Sequence, residues 1–296
     1  MSIHIHPTGL NSTLTKSGSA IVTRDLIGSF DPGVNIFNTH WQSTTVHSDG
    51  TTKAFKLLNG TAPASGSNPP YVQLDGTNDY LGGATSGYGD YPVELNISNA
   101  FTCCGWFKWS SNYHYPFALK TLDSGGSNLN ARFYTQIQND EEVMLWVEAG
   151  AGSSKESFWY ALDRPNSAGG RAPKPIFGLT VDKWFYFAVS HDGSGNWKCY
   201  LNGSIILDTA TQVTTTDVLG QTRDPGDAFA EALMDPTADE LWIGRRSYGS
   251  STYSEAIKIG RQHIYSARLT DSEIRQNFLA SHDIYDARIY GDNYLA

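Results

Sequence analysis

Residues 181–208 read VDKWFYFAVSHDGSGNWKCYLNGSIILD. This stretch restricts the fold more tightly than any other. Trp184, Phe185, Tyr186, Phe187, Ala188 and Val189 form a run of the aromatic and β-branched types that suit a pleated surface. The loop His191-Asp192-Gly193-Ser194-Gly195-Asn196 is rich in residues that tolerate positive φ. A second run spans 197–201. Asn202-Gly203 then gives the commonest two-residue hairpin signal, a type I′ turn, and Ile205-Ile206-Leu207 returns. Three strands in succession must share one antiparallel sheet, and the rest of the chain must build around it.

Composition agrees with an all-β chain. Charged residues are 17% of the 296, below the roughly 25% usual in globular proteins. There are 29 glycines, and aromatics reach 12%. Many aromatics and turn residues with few charges predict a β-sandwich with long loops. The net charge of −9 repels phosphate backbones, so nucleic acid is not an expected partner. No apolar run is long enough to span a membrane as a helix. The first residues, MSIHIHPTGLNSTLTKSG, show neither a basic segment nor an apolar one, so no secretory leader is expected. Cys103 and Cys104 are adjacent and would face opposite ways on a strand, so only one of them can face Cys199; free thiols are expected.

Along the chain, residues 1–70 are the least regular. They are expected to supply an N-terminal arm and the first strands, including 41–46 and 54–58 around an Asp49-Gly50 turn. Residues 71–281 are expected to form the sandwich, and 282–296 a Tyr-rich tail. Strands are predicted at 101–109, 116–120, 132–138 and 143–148, with a strand pair or bent strand over 71–81. The segments 149–178 and 209–236 read as long insertions. Thr270 and Glu273 have capping-box spacing, and Leu269 and Ile274 can staple the turn. They predict one short C-terminal helix, covering an edge or end of the sandwich.

Three segments carry a resemblance. The first is the W-x-x-x-A-V-S-x-D-G and W-x-x-Y-x-N-G pattern that begins at Trp184. The second is Gln73-Leu74-Asp75-Gly76-Thr77-Asn78-Asp79-Tyr80-Leu81. The third is Leu241-Trp242-Ile243-Gly244 with Ile259-Gly260 through Ile264-Tyr265 and Leu269 through Ile274. In this order they resemble the laminin G-like, concanavalin A-like lectin–glucanase jelly-roll superfamily, of the kind found in phage and viral virion proteins. The resemblance implies a two-sheet antiparallel β-sandwich of jelly-roll type. It does not imply one function, because this fold hosts many.

The search for chemistry gives few residues. A sandwich glycosidase needs two carboxylates flanking the sugar. The E-x-D-x-x-E spacing of the resembling glucanases is absent, as is a G-x-S-x-G elbow. The sequence is therefore read as non-enzymatic. Tyr113, Tyr115, Trp159 and Tyr160 lie in or near predicted loops and could stack on sugar rings, with core or interface packing as the other reading. Asp75, Asn78 and Asp79 match the oxygens that jelly rolls of this family offer to Ca²⁺; the same residues also suit a hydrogen-bonded turn.

These readings predict a virion structural protein, a capsid decoration, head fibre or tail-appendage subunit, made in the host cytoplasm. Its partners would be copies of itself, with a trimer favoured, other virion proteins and host surface glycans. The alternative is a free-standing carbohydrate-binding lectin or adhesion module, followed by a polysaccharide-degrading enzyme.

Overall fold

The computed structural model describes residues 20–37, 40–46, 52–64, 66–83, 100–108, 114–121, 131–137, 143–149, 156–161, 164–165, 171–172, 182–210, 239–248 and 251–285. The strands in chain order are β1 (Leu26–Phe30), β2 (Ile36–Phe37), β3 (His40–Val46), β4 (Thr52–Leu58), β5 (Ala62–Ala64), β6 (Tyr71–Gln73), β7 (Tyr80–Gly83), β8 (Phe101–Lys108), β9 (Ala118–Thr121), β10 (Ala131–Ile137), β11 (Val143–Ala149), β12 (Glu156–Ala161), β13 (Arg164–Pro165), β14 (Arg171–Ala172), β15 (Trp184–His191), β16 (Trp197–Leu201), β17 (Ser204–Asp208), β18 (Asp239–Ile243), β19 (Arg245–Tyr248), β20 (Ser251–Ser254) and β21 (Lys258–Tyr265). Two helices follow, α1 (Asp271–Leu279) and α2 (His282–Tyr285).

Two antiparallel sheets form the body. The eight-stranded sheet runs β17-β16-β15-β8-β21-β6-β5, with β1 also pairing β21; the nine-stranded sheet runs β12-β11-β10-β9-β18-β7-β4-β3-β2. The stretch at 184–208 forms the meander β15-β16-β17. Its I′ turn is present: Asn202 has φ 47° and Gly203 φ 79°. The predicted bent strand over 71–81 proves to be a change of sheet. β6 belongs to the smaller sheet, β7 to the larger, and the Asp75–Asp79 turn carries the chain across.

Between the sheets lies the main core. Phe101, Cys103 and Phe107 of β8, Phe185, Phe187 and Val189 of β15, and Trp197, Cys199 and Leu201 of β16 meet Leu57, Leu81, Leu119, Phe133, Leu145, Leu241 and Ile243 of the larger sheet. Each large apolar side chain buried here contributes about 1.5–3 kcal/mol. The intervening residues of the smaller sheet point the other way. There Cys104, Trp106, Tyr186 and Tyr200 form a second core with Ile274 and Phe278 of α1 and Tyr285 of α2. All three cysteines are buried free thiols, with burial pushing the Cys104 thiol up to about 12.

Helix α1 has the predicted cap. Thr270 accepts from the Glu273 N–H while the Glu273 carboxylate accepts from the Thr270 N–H. Its placement corrects the expectation: it lies on the broad outer face of the smaller sheet, not at an edge or end. The cause is that face itself, whose Trp106, Tyr186 and Tyr200 would otherwise expose a large apolar surface. Asn277 is the hub of the closure. Its Oδ1 accepts from the Val22 N–H (2.8 Å) and its Nδ2 donates to the Tyr265 hydroxyl (3.0 Å). Trp106 Nε1 donates to Ser281 Oγ (2.7 Å), and the Tyr285 ring stacks on Trp106 at 4.6 Å.

Candidate functional site

The outer face of the larger sheet is built differently. Residues directly opposite one another across antiparallel strands share a face. The register sets Lys56 opposite Gly82, Gly82 opposite Trp242, Trp242 opposite Ala118, and Ala118 opposite Tyr134. It continues from Tyr134 to Trp146 and from Trp146 to Trp159. One transverse line of backbone register thus runs from Trp242 and Tyr134 across β11 to β12. From β18 to β12 it crosses about 19 Å at the usual strand spacing.

Tyr80, Ala118, Tyr134 and Trp242 pack together, with Leu58 against them, apart from the main core. Helix α1 lies on the far side of the molecule from this cluster. What covers these rings among the described residues is a pair of arginines. β18 ends at Ile243, and Gly244 turns the chain with φ +81°. A Cβ here would sit 2.1 Å from Leu74 Cδ1, so both the conformation and the space require glycine. The Gly244 N–H donates to the Tyr115 carbonyl (2.9 Å). Beyond the turn, the β19–β20 hairpin begins with Arg245 and Arg246.

The Arg245 guanidinium carbon lies 4.4 Å from the Tyr80 ring centre and 5.0 Å from that of Trp242. That of Arg246 lies 5.0 Å from Tyr115 and 4.8 Å from Tyr134, and its Nη1 donates to the Tyr134 hydroxyl at 2.8 Å. Such cation–π contacts stabilise by about 0.5–2 kcal/mol depending on desolvation. Both arginines remain partly exposed. Glu255 completes the charge distribution: burial raises its carboxyl, and Arg246 opposes the shift. The surface therefore offers cations held over rings. Such a layer suits ligands that combine apolar faces with oxygen acceptors, as sugars do.

The sequence-derived site residues fall as follows. Tyr115 is a correction: at 2% exposure it is a buried support beneath Arg246, not an open stacking platform. Tyr113 lies outside the described residues. Trp159 and Tyr160 sit in strand β12 at the edge of the larger sheet, not in a loop, opposite Trp146 and Leu145. Asp75 Oδ1 accepts from the Thr77 N–H (2.7 Å), and Asp79 Oδ2 accepts from the Asp75 N–H (3.1 Å). The Asn78 carbonyl accepts from Asn59 Nδ2 (2.8 Å). These are the bonds of a turn; calcium there rests on the resemblance alone. Burial raises the Asp79 carboxyl. Among the described residues, no group of three or more His, Cys, Asp or Glu is placed to hold a metal ion.

Sequence reasoning missed Arg245 and Arg246. The available signal was Gly244 closing an apolar strand and followed at once by two cations.

No protein-family model matches the chain, and no curated protein matches it. Solved structures do. Trypanosoma rangeli sialidase in complex with sialic acid aligns with TM-score 0.53 at 15% identity, covering 90% of this chain and 34% of the sialidase. A mutant of that sialidase displaying trans-sialidase activity aligns with TM-score 0.55 at 12% identity, over 92% and 36%. The botulinum neurotoxin serotype D binding domain aligns with TM-score 0.49 at 14% identity, over 86% and 51%. The chain thus spans about a third of the sialidase chains it resembles. At these identities the likeness to the sialidase structures establishes the fold alone.

The neighbours overturn the expectation of a non-enzymatic chain, because sialidases stand among them. A missing E-x-D-x-x-E spacing excludes one arrangement of carboxylates and leaves every other open.

Proposed function

We propose that this chain is a concanavalin A-like jelly-roll module that recognises carbohydrate on the outer face of its larger sheet. The observation that carries the proposal is the arginine-on-aromatic layer at Tyr80, Tyr134, Trp242, Arg245 and Arg246. It lies on the face opposite the one that α1 closes. A neighbour solved with sialic acid supports a sugar ligand. Recognition by such a face serves a module of a glycan-processing protein.

The test is binding of the purified chain to an immobilised panel of neutral and acidic oligosaccharides, with release of reducing sugar followed in the same samples. Binding to at least one glycan is expected. Arg246→Ala and Trp159→Ala should each weaken it tenfold or more when measured well below the melting temperature, which loss of the Arg246 ring contacts lowers. A chain that binds no member of the panel contradicts the reading. Assembly on a virion is tested separately by solution mass. A trimer that survives a calcium chelator favours an assembly subunit, and a monomer of 32.5 kDa argues against autonomous oligomerisation.

A further inference from the structure

The arginines of this protein are not equally answered. Arg24 meets Glu273 at 2.6 Å, Arg261 meets Asp31 at 2.6 Å, and Arg268 meets Asp192 at 3.2 Å. The cleft of about 290 Å³ beside the start of α1 is lined by Lys198, Arg268, Leu269, Thr270 and Asp271. Its cations are likewise answered, since Lys198 lies 3.1 Å from Asp271 and 3.3 Å from Asp208. Arg245 differs. Among the described residues it meets only the rings of Tyr80 and Trp242, and its buried Nε has no hydrogen-bond partner. Acids are not scarce, because the chain carries 30 of them against 21 Lys and Arg.

A guanidinium held over aromatic rings keeps its charge and its in-plane N–H donors. A planar carboxylate can then meet it edge-on with two parallel hydrogen bonds. The two rings restrict the guanidinium in advance, which reduces the entropy lost on binding. Neighbouring Arg246 is held by the Tyr134 hydroxyl and adds positive charge beside the site.

We infer that Arg245, clamped on Tyr80 and Trp242, is the carboxylate-recognition group of this face and that the ligand is an acidic, carboxylate-bearing sugar. This rests on the glycan-binding reading above and specifies its ligand class.

The experiment compares matched oligosaccharides by calorimetry. N-acetylneuraminate-terminated and glucuronate-terminated chains are set against the same chains without the acid and against sulfated ones. The wild-type chain should bind at least one carboxylated member tenfold or more tighter than its neutral partner. Arg245→Met keeps the aliphatic stem and should erase that preference while leaving residual neutral binding. Arg245→Lys, which keeps the charge but not the planar fork, should recover only part of it. Melting temperatures identify any variant that fails to fold, and the wild-type comparison stands without the variants. Equal binding of acidic and neutral sugars overturns this inference and spares the glycan-binding reading. Sulfated sugars bound as tightly as carboxylated ones overturn the carboxylate assignment. An Arg245→Met protein with the preference intact reduces Arg245 to a clamp for its hairpin. Absence of binding to every sugar overturns both readings.

Discussion

The two sheets of this molecule each have an aromatic outer face, but the faces are finished differently. On the smaller sheet, Trp106, Tyr186 and Tyr200 lie under α1 and α2. Trp106 Nε1 is answered from within the chain by Ser281, and the Tyr200 hydroxyl by Asp271. On the larger sheet, Tyr80, Tyr134 and Trp242 are overlaid by two arginines that still reach solvent. Apolar residues under a helix stabilise the fold and leave nothing for a ligand to contact. Rings under guanidinium groups keep part of their stabilisation and present charge and hydrogen-bond donors outward. Burial percentage alone does not separate the two faces; the chemistry of the covering groups does.

This contrast can be broken by mutation. Trp106→Ala, on the closed face, should cost about 3–5 kcal/mol, by loss of buried area and the cavity left behind. Calorimetric melting should show this as a fall of roughly 10 °C, with glycan affinity at low temperature unchanged. Gly244→Ala should cost about 1–3 kcal/mol, because φ +81° strains any Cβ and Leu74 fills its space. Unlike Trp106→Ala, it should also abolish glycan binding, because it displaces both arginines. Thr270→Ala should cost about 1 kcal/mol by uncapping α1, read as a shift in the urea midpoint.

A pH series sharpens the contrast further. Burial holds the His263 imidazole down to about 4; Arg261 adds to the shift and Asp31 opposes it. The unfolded chain takes up that proton near the ordinary value of 6.5, so stability should fall as pH drops from about 6.5 toward 4. Asp192 and Glu273 follow. Burial pushes the Asp192 carboxyl up, but hydrogen bonds from the Asn196 side chain and the Ser194 and Asn196 backbone outweigh it and hold it at about 2. The Arg24 hydrogen bond holds Glu273 at about 2. Their contributions should be lost as pH falls from the usual carboxylate range toward 2. All three groups belong to the smaller sheet or its cover. Glu255, beside the larger sheet, has the opposite sign: its raised carboxyl costs stability as pH rises through its folded value. His263→Gln should remove the first acid stage from urea midpoints measured against pH.

Much of the fold was legible in the sequence. The Asn202-Gly203 turn, the meander it closes and the Thr270–Glu273 cap are local chemistry, and local chemistry survives into structure. The orientation of β8 and β15 was not legible. FTCCGWFK and WFYFAVSH show no clean alternation because both of their faces are buried. Strand β1 and the β19–β20 hairpin were also missed. LIGSF is short, and RRSYGSSTYS lacks the apolar alternation that marks a strand. At the site, Tyr115 was noticed for the wrong reason: an aromatic in a loop reads as exposed, while Arg246 covers it. Arg245 left no motif, because its partners Tyr80 and Trp242 come from distant strands that only the sheet register brings together.

Hydrogen–deuterium exchange with and without an N-acetylneuraminate-terminated oligosaccharide tests the central claim most directly. Exchange should slow in peptides covering β9, β10, β18 and β19, with no change across α1, β15 and β16. Protection confined to α1 and the smaller sheet would place the ligand on the closed face and contradict that claim.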